Sequence, residues 1–283
     1  MQSFEDHLPK ISLQKLIFLF AKRQVKATYD FVPYLYGCYS FSANADLTAM
    51  VKHGILREDK TNFYKIDTNN YIKQLNEVDK KILLEIKSIY GLLSSDSLMK
   101  MTYINYQYYA INSVKAKEIL NKEQYEKVEL ARPKSNKTTL FTIGYEGISL
   151  EQYLNKLIKN DVKILIDVRC NALSMKFGFS KTQLKNFCSS LGINYLHIPE
   201  VGIRSDQRQE LKSQNDYDKL FENYIKSNLK QTITQQKEIL TLLKENKRVA
   251  LTCFEANICQ CHRKHLAEAI IKLPEWKYEL KHV

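Results

Sequence analysis

The sequence predicts an α/β fold in two parts: a mostly helical, winged-helix-like N-terminal domain and a Rossmann-like, three-layer C-terminal domain with a mainly parallel sheet. The chain has 283 residues, a length at which single cores stop growing (~250–300 residues) and chains divide into domains. A polar, proline-containing segment at 132–137 separates helical periodicity from a pattern of short apolar runs. We therefore expect domains at 1–132 and 138–283.

Composition narrows the class of protein. Hydrophobic residues make up 44% of the chain and charged residues 26%, which is typical of a globular protein and not of a disordered one. The longest apolar run, 16–21, is far shorter than the ~20 residues of a membrane helix, and the N-terminus lacks the layout of a signal peptide. The expected location is the cytoplasm, with no membrane partner. The net charge of +12 permits a nucleic-acid partner, and it is equally typical of a lysine-rich genome.

The N-terminal domain is predicted to be helical with one β-hairpin. Two short apolar runs at 55–56 and 63–66, joined by a polar turn, indicate the hairpin. A helix followed by such a hairpin is typical of a winged-helix arrangement. Apolar residues at helical spacing indicate helices at 13–21, 42–53, 78–90, 94–102 and 113–130.

Three segments of this domain point to a known family. They are LQKL at 13–16, YDFVPYLYG at 29–37, and Asp46 followed by Leu47 and Gly54. On these segments the domain resembles the Panacea (SocA-like antitoxin) domain, although Cys38 and its neighbours replace the family's continuation after the glycine. The resemblance implies a helical domain that contacts protein partners and neutralises toxins. A nucleic-acid stacking surface formed by its tyrosines is the alternative.

The C-terminal domain is predicted from strands that alternate with helices. Short, largely apolar runs at 139–143, 162–168, 194–198 and 248–253 indicate strands, and the run at 162–168 is nearly all apolar, as a strand covered on both faces should be. Alternating strands and helices favour a parallel sheet. The predicted helices lie at 149–158, 180–191, 217–245 and 261–271.

Ligands of open α/β sheets bind beyond the carboxyl ends of the strands, so the polar residues that follow each strand predict the site. Such residues cluster in active sites because their pKa values are tuned there. The polar residues at the strand ends of this chain are Tyr145 and Glu146 at the first strand, Asp167 and Arg169 at the second, Glu200 at the third, and Glu255, Cys261, His262 and Arg263 at the fourth.

The same strand ends carry a series of motifs. They are TIGYEG at 142–147, LIDVR at 165–169, GFSK at 178–181, HIPE at 197–200, and Cys253 and Glu255 with CHR at 261–263. On these motifs the C-terminal half resembles the family known as domain of unknown function 488 (DUF488). The resemblance implies an α/β fold and a site at these positions, and it implies no reaction.

Proton-transferring side chains among these residues are the predicted catalytic groups: Asp167, Glu255, His262 and Glu146. A carboxylate there can act as a general base or hold a sugar hydroxyl. Carboxylates beside a phosphate site suit cleavage of a glycosidic bond, and carboxylates that hold a divalent metal suit phosphodiester chemistry. The sequence leaves both open, and for His262 it also leaves open a core-facing position.

The predicted substrate- and phosphate-binding residues are Tyr145, Arg169, Lys176, Cys261 and Arg263. Cys261 and Arg263 lie where a helix begins, and the free N–H groups of a helix start favour an anion. Arg169 and Lys176 supply further positive charge, and Tyr145 can stack on a base. An internal ion pair of Arg169 with a neighbouring acid is the alternative.

The cysteines allow two further interpretations. Cys253, Cys259, Cys261, His262 and His265 are possible zinc ligands, but the pattern C-x5-C-x-C-H lacks the two-residue spacing of structural zinc sites, so no metal is predicted. A strand that ends in Cys253 and leads to an arginine-bearing helix is similar to a rhodanese-like fold. The loop to Arg263 is longer than the usual cysteine-x5-arginine phosphate cradle, and a buried, inert Cys253 is the favoured interpretation.

These observations predict an enzyme that acts on a phosphate- or ribose-bearing substrate, a nucleotide or a nucleic acid, in a defence or DNA-modification setting. The first alternative is a non-catalytic, antitoxin-like binding module. The second is a rhodanese-like, cysteine-dependent sulfurtransferase. The expected partners are nucleic acid or nucleotide, with a protein partner for the N-terminal domain, and the sequence identifies no cofactor.

Overall fold

The computed structural model describes residues 1–208, 211 and 213–283 and divides into two compact units, Met1–Arg132 and Pro133–Val283. In the first unit helices surround two small antiparallel sheets. Its elements are β1 (His7–Pro9), α1 (Lys10–Ala21), β2 (Val32–Tyr34), β3 (Gly37–Tyr39), α2 (Phe41–Lys52), β4 (Leu56–Glu58), β5 (Asn62–Lys65), a 3-10 turn (Ile72–Gln74), α3 (Glu77–Tyr90), α4 (Ser95–Asn105), α5 (Gln107–Ala110), α6 (Ala116–Ile119) and α7 (Lys122–Ala131).

The hairpin that the sequence predicts forms as β4 and β5, and β5 also pairs with β1, which precedes the first helix. This arrangement does not confirm the winged-helix prediction. The helix predicted at 113–130 is divided into α6 and α7, because Asn121 starts a new helix with a capping box in which it exchanges hydrogen bonds with Gln124.

Helix α1 is bonded to the backbone of β3 and of the residue that follows it, next to the turn between β2 and β3. Gln14 exchanges hydrogen bonds with the backbone of Ser40, and the buried Lys15 donates to the carbonyl of Cys38 at 2.9 Å. A Cβ at Gly37 (φ +92°) would meet the ring of Tyr103 at 2.4 Å. The geometry of that turn therefore depends on a glycine and on two polar side chains of α1.

The second unit is an α/β domain, and its sheet is parallel, as predicted. Among the described residues, the sheet has the strand order β10–β6–β9–β7–β8, with every pair of neighbours parallel. Its elements are β6 (Thr139–Gly144), α8 (Leu150–Lys159), β7 (Ile164–Asp167), α9 (Lys181–Ser190), β8 (Asn194–His197), two 3-10 turns (Pro199–Val201 and Ser205–Arg208), α10 (Gln214–Lys226), α11 (Asn228–Gln231), α12 (Ile233–Asn246), β9 (Arg248–Cys253), a 3-10 turn (Ile258–Gln260), α13 (His262–Ile271) and β10 (Glu279–His282).

Alternate residues of the central strands are buried against helices on the two faces of the sheet. Val249 and Leu251 of β9 pack with residues of α10, α12 and α13. On the other face, Thr252 accepts a hydrogen bond from Tyr153 of α8 at 2.8 Å. The connections that leave β6 and β9 thus pass over opposite faces, which places a topological switch point between these two adjacent strands.

One prediction for this unit was wrong, and one strand was missed. The single helix predicted at 217–245 is three helices, because Ser227 and Thr232 bond their hydroxyl groups to carbonyls four residues earlier, at Asn223 and Asn228, where the helices break. The edge strand β10 was not predicted. Among the described residues no helix combines the length and the apolar character that a membrane crossing requires.

Candidate functional site

The carboxyl ends of β6, β9 and β7 lie side by side. Gly144 pairs with Cys253, and Asp167 pairs with Thr252 on one side and with His197 on the other. A cavity of about 290 Å³ lies there. Its lining comes from the ends of these strands and the segments that follow them, from the segment after β8, and from the start of α13: Tyr145, Arg169, Cys170, Asn171, Leu173, Ser174, Ile203, Cys253, Phe254 and His262.

Asp167 and Arg169 form a buried ion pair, called here the Asp–Arg pair. Asp167 is 0% and Arg169 5% exposed. Arg169 Nε donates to Asp167 Oδ1 at 2.8 Å, its Nη2 donates to Oδ2, and Tyr195 Oη donates to Oδ2 at 2.7 Å. Burial alone would lower the pKa of Arg169, but the bonds and charge of Asp167 outweigh it, so this pKa is raised and the guanidinium stays charged.

The Asp–Arg pair is the internal pair that the sequence left open as the alternative for Arg169. It changes what Asp167 can do, because a carboxylate that accepts a two-pronged guanidinium, a backbone N–H and a phenol is fully satisfied. Asp167 therefore fixes the position of Arg169 on the cavity wall. The carbonyl of Arg169 also accepts a bond from His197 Nε2 at 2.8 Å.

Tyr145 lies in the interior beneath Arg169, although its loop position led us to expect an accessible ring. It is 2% exposed, and its ring stacks on Phe179 with centroids 4.2 Å apart. Arg169 Nη1 donates to its hydroxyl at 2.6 Å, and burial raises the pKa of this phenol. Lys176 donates to the Tyr145 carbonyl at 2.8 Å, and burial lowers the pKa of Lys176. Lys176 thus holds the loop after β6 through the Tyr145 carbonyl, and the Tyr145 hydroxyl holds Arg169 in position.

Cys253, Cys261 and His262 form a buried group, called here the thiol–imidazole cluster. His262 Nε2 lies 2.9 Å from the carbonyl of Val168, and since a carbonyl only accepts, Nε2 carries the proton. The lone pair of Nδ1 then faces Cys253 Sγ at 3.7 Å. The two sulfurs and the imidazole nitrogen all lie within 4.8 Å of one another. The cluster therefore has three donor atoms that converge on one point.

Glu255 adds a carboxylate to this cluster, because Cys253 Sγ donates to its Oε2 at 3.1 Å. Burial and the bond to Cys253 raise the pKa of the Cys261 thiol well above its ordinary value, so without a ligand this thiol is protonated. The other proposed zinc ligands lie elsewhere. Cys259 is exposed, and the His265 ring packs on Phe221 and pairs with Glu268.

The long loop between β9 and α13 is held by backbone contacts. Arg263, which was expected to bind an anion at the helix start, instead donates to the carbonyls of Glu255 and Ala256 from within the interior. Glu146, an exposed residue, accepts the N–H of Ala256 at 2.9 Å. A Cβ at Gly144 would lie 2.0 Å from the Glu255 carbonyl oxygen, so only glycine permits this approach.

All nine predicted site residues fall in this one network. Tyr145, Arg169 and His262 line the cavity, and the other six contact those three or the loop between β9 and α13. Sequence reasoning missed the supporting residues Tyr195, His197 and Phe179. A polar residue at alternate positions of β8 was the available signal for the first two, since one face of that strand points toward Asp167.

Comparisons with known proteins give a single result. Searches of the curated proteins and of the solved structures found no match. A family model matches the segment from α8 to the end of α13. This match does not extend to the first unit, so the Panacea resemblance stays a prediction. The second unit carries, at residues 149–270, a match to the family described as "Domain of unknown function DUF488".

Proposed function

We propose that the second unit is an enzyme that acts on a small phosphate-bearing substrate, a nucleotide or the end of a nucleic acid. One observation carries the proposal: the positively charged, positioned Arg169 lines the same cavity as Cys253 and His262, and Glu255 contacts Cys253. Cavities with a few convergent polar groups at the strand ends of α/β folds are typical ligand sites.

Arg169 supplies the anion-binding element. Its guanidinium lines the cavity while Asp167 and Tyr145 hold its inner edge. A guanidinium held in this way binds a phosphate with little loss of side-chain entropy, since its rotamer is already fixed. A volume of about 290 Å³ is near the lower limit of ligand cavities (~300–1,000 Å³), so it suits a mononucleotide-sized group.

Phe254 favours a nucleotide over inorganic phosphate. It lines the cavity, and 43% of its surface is exposed. Its ring packs edge-on against Tyr145 at 5.3 Å, which fixes its orientation. An exposed and oriented aromatic ring beside a cation is the arrangement on which a base stacks.

Proton transfer falls to Glu255 and His262, which both contact Cys253 Sγ. In hydrolysis of a glycosidic or phosphodiester bond, a base takes the proton of the attacking water as its oxygen bonds to the reacting centre. The leaving atom, an oxygen of a phosphodiester or a base nitrogen of an N-glycosidic bond, takes the bonding electron pair and a proton from an acid. We assign these roles to Glu255 and His262, and we assign Asp167 the positioning of Arg169.

Ligand binding to the full chain tests the anion site. Calorimetric titration with inorganic phosphate and with nucleoside monophosphates should give affinities that fall about 10- to 150-fold in the double variant Asp167→Asn/Arg169→Gln, the equivalent of 1.5–3 kcal/mol for a charged hydrogen bond. The double variant removes both charges together, so no unpaired buried charge remains. Lys185→Ala, which removes an exposed charge of α9, should bind like wild type. Equal affinities in wild type and double variant would refute the site.

Turnover distinguishes an enzyme from a binding module. Glu255→Gln should retain phosphate binding and lose cleavage of nucleotide or single-stranded nucleic-acid substrates. If wild type binds phosphate compounds and cleaves none of them, the competing proposal of a non-catalytic, antitoxin-like module is favoured. In either case we propose that the first unit contacts a protein or nucleic-acid partner, as its Panacea-like segments imply.

The contacts of Cys253 favour a second candidate, cysteine-dependent sulfur transfer. The sequence disfavoured it because Arg263 is too far along the chain, but the cation beside Cys253 in the cavity is Arg169. In this reaction the Cys253 thiolate attacks the outer sulfur of thiosulfate. The donor S–S bond breaks, sulfite leaves with the electron pair, and Cys253 carries a persulfide until an acceptor thiol removes it. Sulfur transfer that Cys253→Ser abolishes would establish this candidate.

A further inference from the structure

The thiol–imidazole cluster has the donor set of a metal site. Two sulfurs and one imidazole nitrogen converge, and all three residues are buried. Sulfur and imidazole nitrogen are the ligands that Zn²⁺ prefers, and three protein ligands with an open fourth position are typical of catalytic zinc. We propose that Cys253, Cys261 and His262 bind one Zn²⁺, whose fourth position faces the cavity.

Distances support this assignment. In a tetrahedral site with Zn–S and Zn–N bonds of ~2.3 and ~2.1 Å, neighbouring ligand atoms lie about 3.6–3.8 Å apart. Cys253 Sγ and His262 Nδ1 are 3.7 Å apart, and the third donor atom lies within 4.8 Å of both. A small rotation of the Cys261 side chain closes the set.

The surroundings of His262 support it further. Metal-binding histidines donate their second ring nitrogen to a carbonyl or carboxylate, which fixes the ring and leaves the other nitrogen free to bind. His262 Nε2 does this toward the Val168 carbonyl at 2.9 Å. The edge of its ring also packs on Tyr224, with centroids 5.7 Å apart. The ring is thus oriented with Nδ1 toward the sulfurs.

Charge balance also fits a buried zinc. Two thiolates cancel the two positive charges of the ion, so the complete site carries no net charge into the interior. The fourth position is open to a water, because Cys253 and His262 line the cavity. Zinc binding removes the proton that Cys253 donates to Glu255 in the metal-free site. Because His262 is then a ligand, the proton transfer assigned above to Glu255 and His262 falls to Glu255 alone. The spacing argument against zinc applies to structural knuckles and not to a site assembled from a strand end and a helix start.

Metal binding is tested directly on the full chain, with no substrate present. Reduced, metal-free protein titrated with Co²⁺ should bind one ion per chain, with a thiolate-to-cobalt charge-transfer band and the intense visible bands of tetrahedral cobalt. Stoichiometric Zn²⁺ should remove both. Cys261→Ser and His262→Gln should each weaken binding by more than about 100-fold, beyond the range of outer-shell changes. The matched control is Cys259→Ser, an exposed thiol of the same loop, which should bind like wild type.

Alkylation of wild type keeps the test decisive if a variant fails to fold. Zn²⁺ should protect Cys253 and Cys261 from iodoacetamide and leave Cys259 reactive, as read from the labelled peptides. Absence of tetrahedral cobalt, or alkylation of Cys253 at the same rate with and without Zn²⁺, would overturn the proposal and favour the sulfur-transfer candidate. This inference does not depend on the substrate. Cobalt binding without phosphate binding would refute the anion site alone. Phosphate binding without cobalt binding would refute the metal site alone.

Discussion

The Asp–Arg pair and the thiol–imidazole cluster are neighbours at the ends of β7 and β9, and they differ in how the protein satisfies them. Asp167 is bonded on both oxygens by Arg169 and Tyr195. In the cluster, the Nδ1 lone pair of His262 and the sulfurs of Cys253 and Cys261 face one another. The first group is a charge pair bonded on every side within the protein, whereas the second brings three metal-binding atoms within 4.8 Å of one another.

This difference separates positioning from reaction. A satisfied ion pair has no free lone pair at the place where a proton must be taken, so its role is to hold one charge in one orientation. Sulfur and nitrogen atoms that converge on one point have a role in the reaction only if a metal ion or another ligand binds between them. Strongly polar residues at strand ends thus predict where a site lies, and their contacts predict which of them react.

Asp167→Ala should produce the largest effect on stability. It leaves the Arg169 guanidinium buried and unpaired, so we expect the free energy of unfolding to fall by about 3–5 kcal/mol in urea titrations. Tyr195→Phe, which removes a single bond to the same carboxylate, should cost about 1.5–3 kcal/mol. Glu222→Ala, which breaks an exposed pair with Lys226, should cost less than about 1 kcal/mol. Equal losses in Asp167→Ala and Glu222→Ala would show that the Asp–Arg pair is not desolvated.

Gly144→Ala should disturb the thiol–imidazole cluster. Its Cβ would lie 2.0 Å from the Glu255 carbonyl oxygen, and because the obstacle is backbone, the loop must move. We expect a loss of about 1–3 kcal/mol of stability, typical of overpacking, together with loss of the tetrahedral cobalt spectrum. Gly147→Ala is the control, because its φ of +74° makes alanine costly by about 1–2 kcal/mol while its Cβ would meet nothing within 4 Å. A normal cobalt spectrum in Gly144→Ala would contradict the expected displacement of this loop.

The sequence was sufficient to predict the sheet and the location of the site, because both follow from patterns that are local. Buried strands such as 164–167 are apolar up to their last residue, Asp167, and the polar residues at the ends of parallel strands meet at one edge. The edge strand β10 was missed because it is half exposed, and the pattern ELKH alternates too weakly over Glu279–His282 to indicate a strand.

The roles of the site residues could not be predicted, because they depend on partners that are distant in sequence. Arg169 pairs with Asp167 because it lies two residues beyond this last residue of β7, but its orientation also needs Tyr145 from the loop after β6. Arg263 follows a helix start and was therefore expected to bind an anion, yet the loop before it turns its own carbonyls toward the guanidinium. Spacing alone excluded a metal at Cys253 and Cys261, whereas the fold brings their sulfurs together.

Cys188 allows the smallest and most selective test, since it is a buried thiol of α9 that belongs to neither group. Burial, with a smaller effect of the Asp167 charge, raises its pKa from the ordinary 9.0 of a thiol to about 12. The folded protein therefore favours the protonated thiol, and the resulting stabilisation is complete below the unfolded pKa and is lost as the pH rises from 9 toward 12. One such group contributes a slope of up to about 1.4 kcal/mol per pH unit.

Urea titrations from pH 9 to 12, under reducing conditions, should show a shallower loss of stability for Cys188→Ala than for wild type, while Cys259→Ala should follow wild type. Parallel curves of unfolding free energy against pH for Cys188→Ala and wild type would mean that the interior tolerates the Cys188 thiolate. An isolated buried thiol would then not differ in this respect from the thiols of the thiol–imidazole cluster.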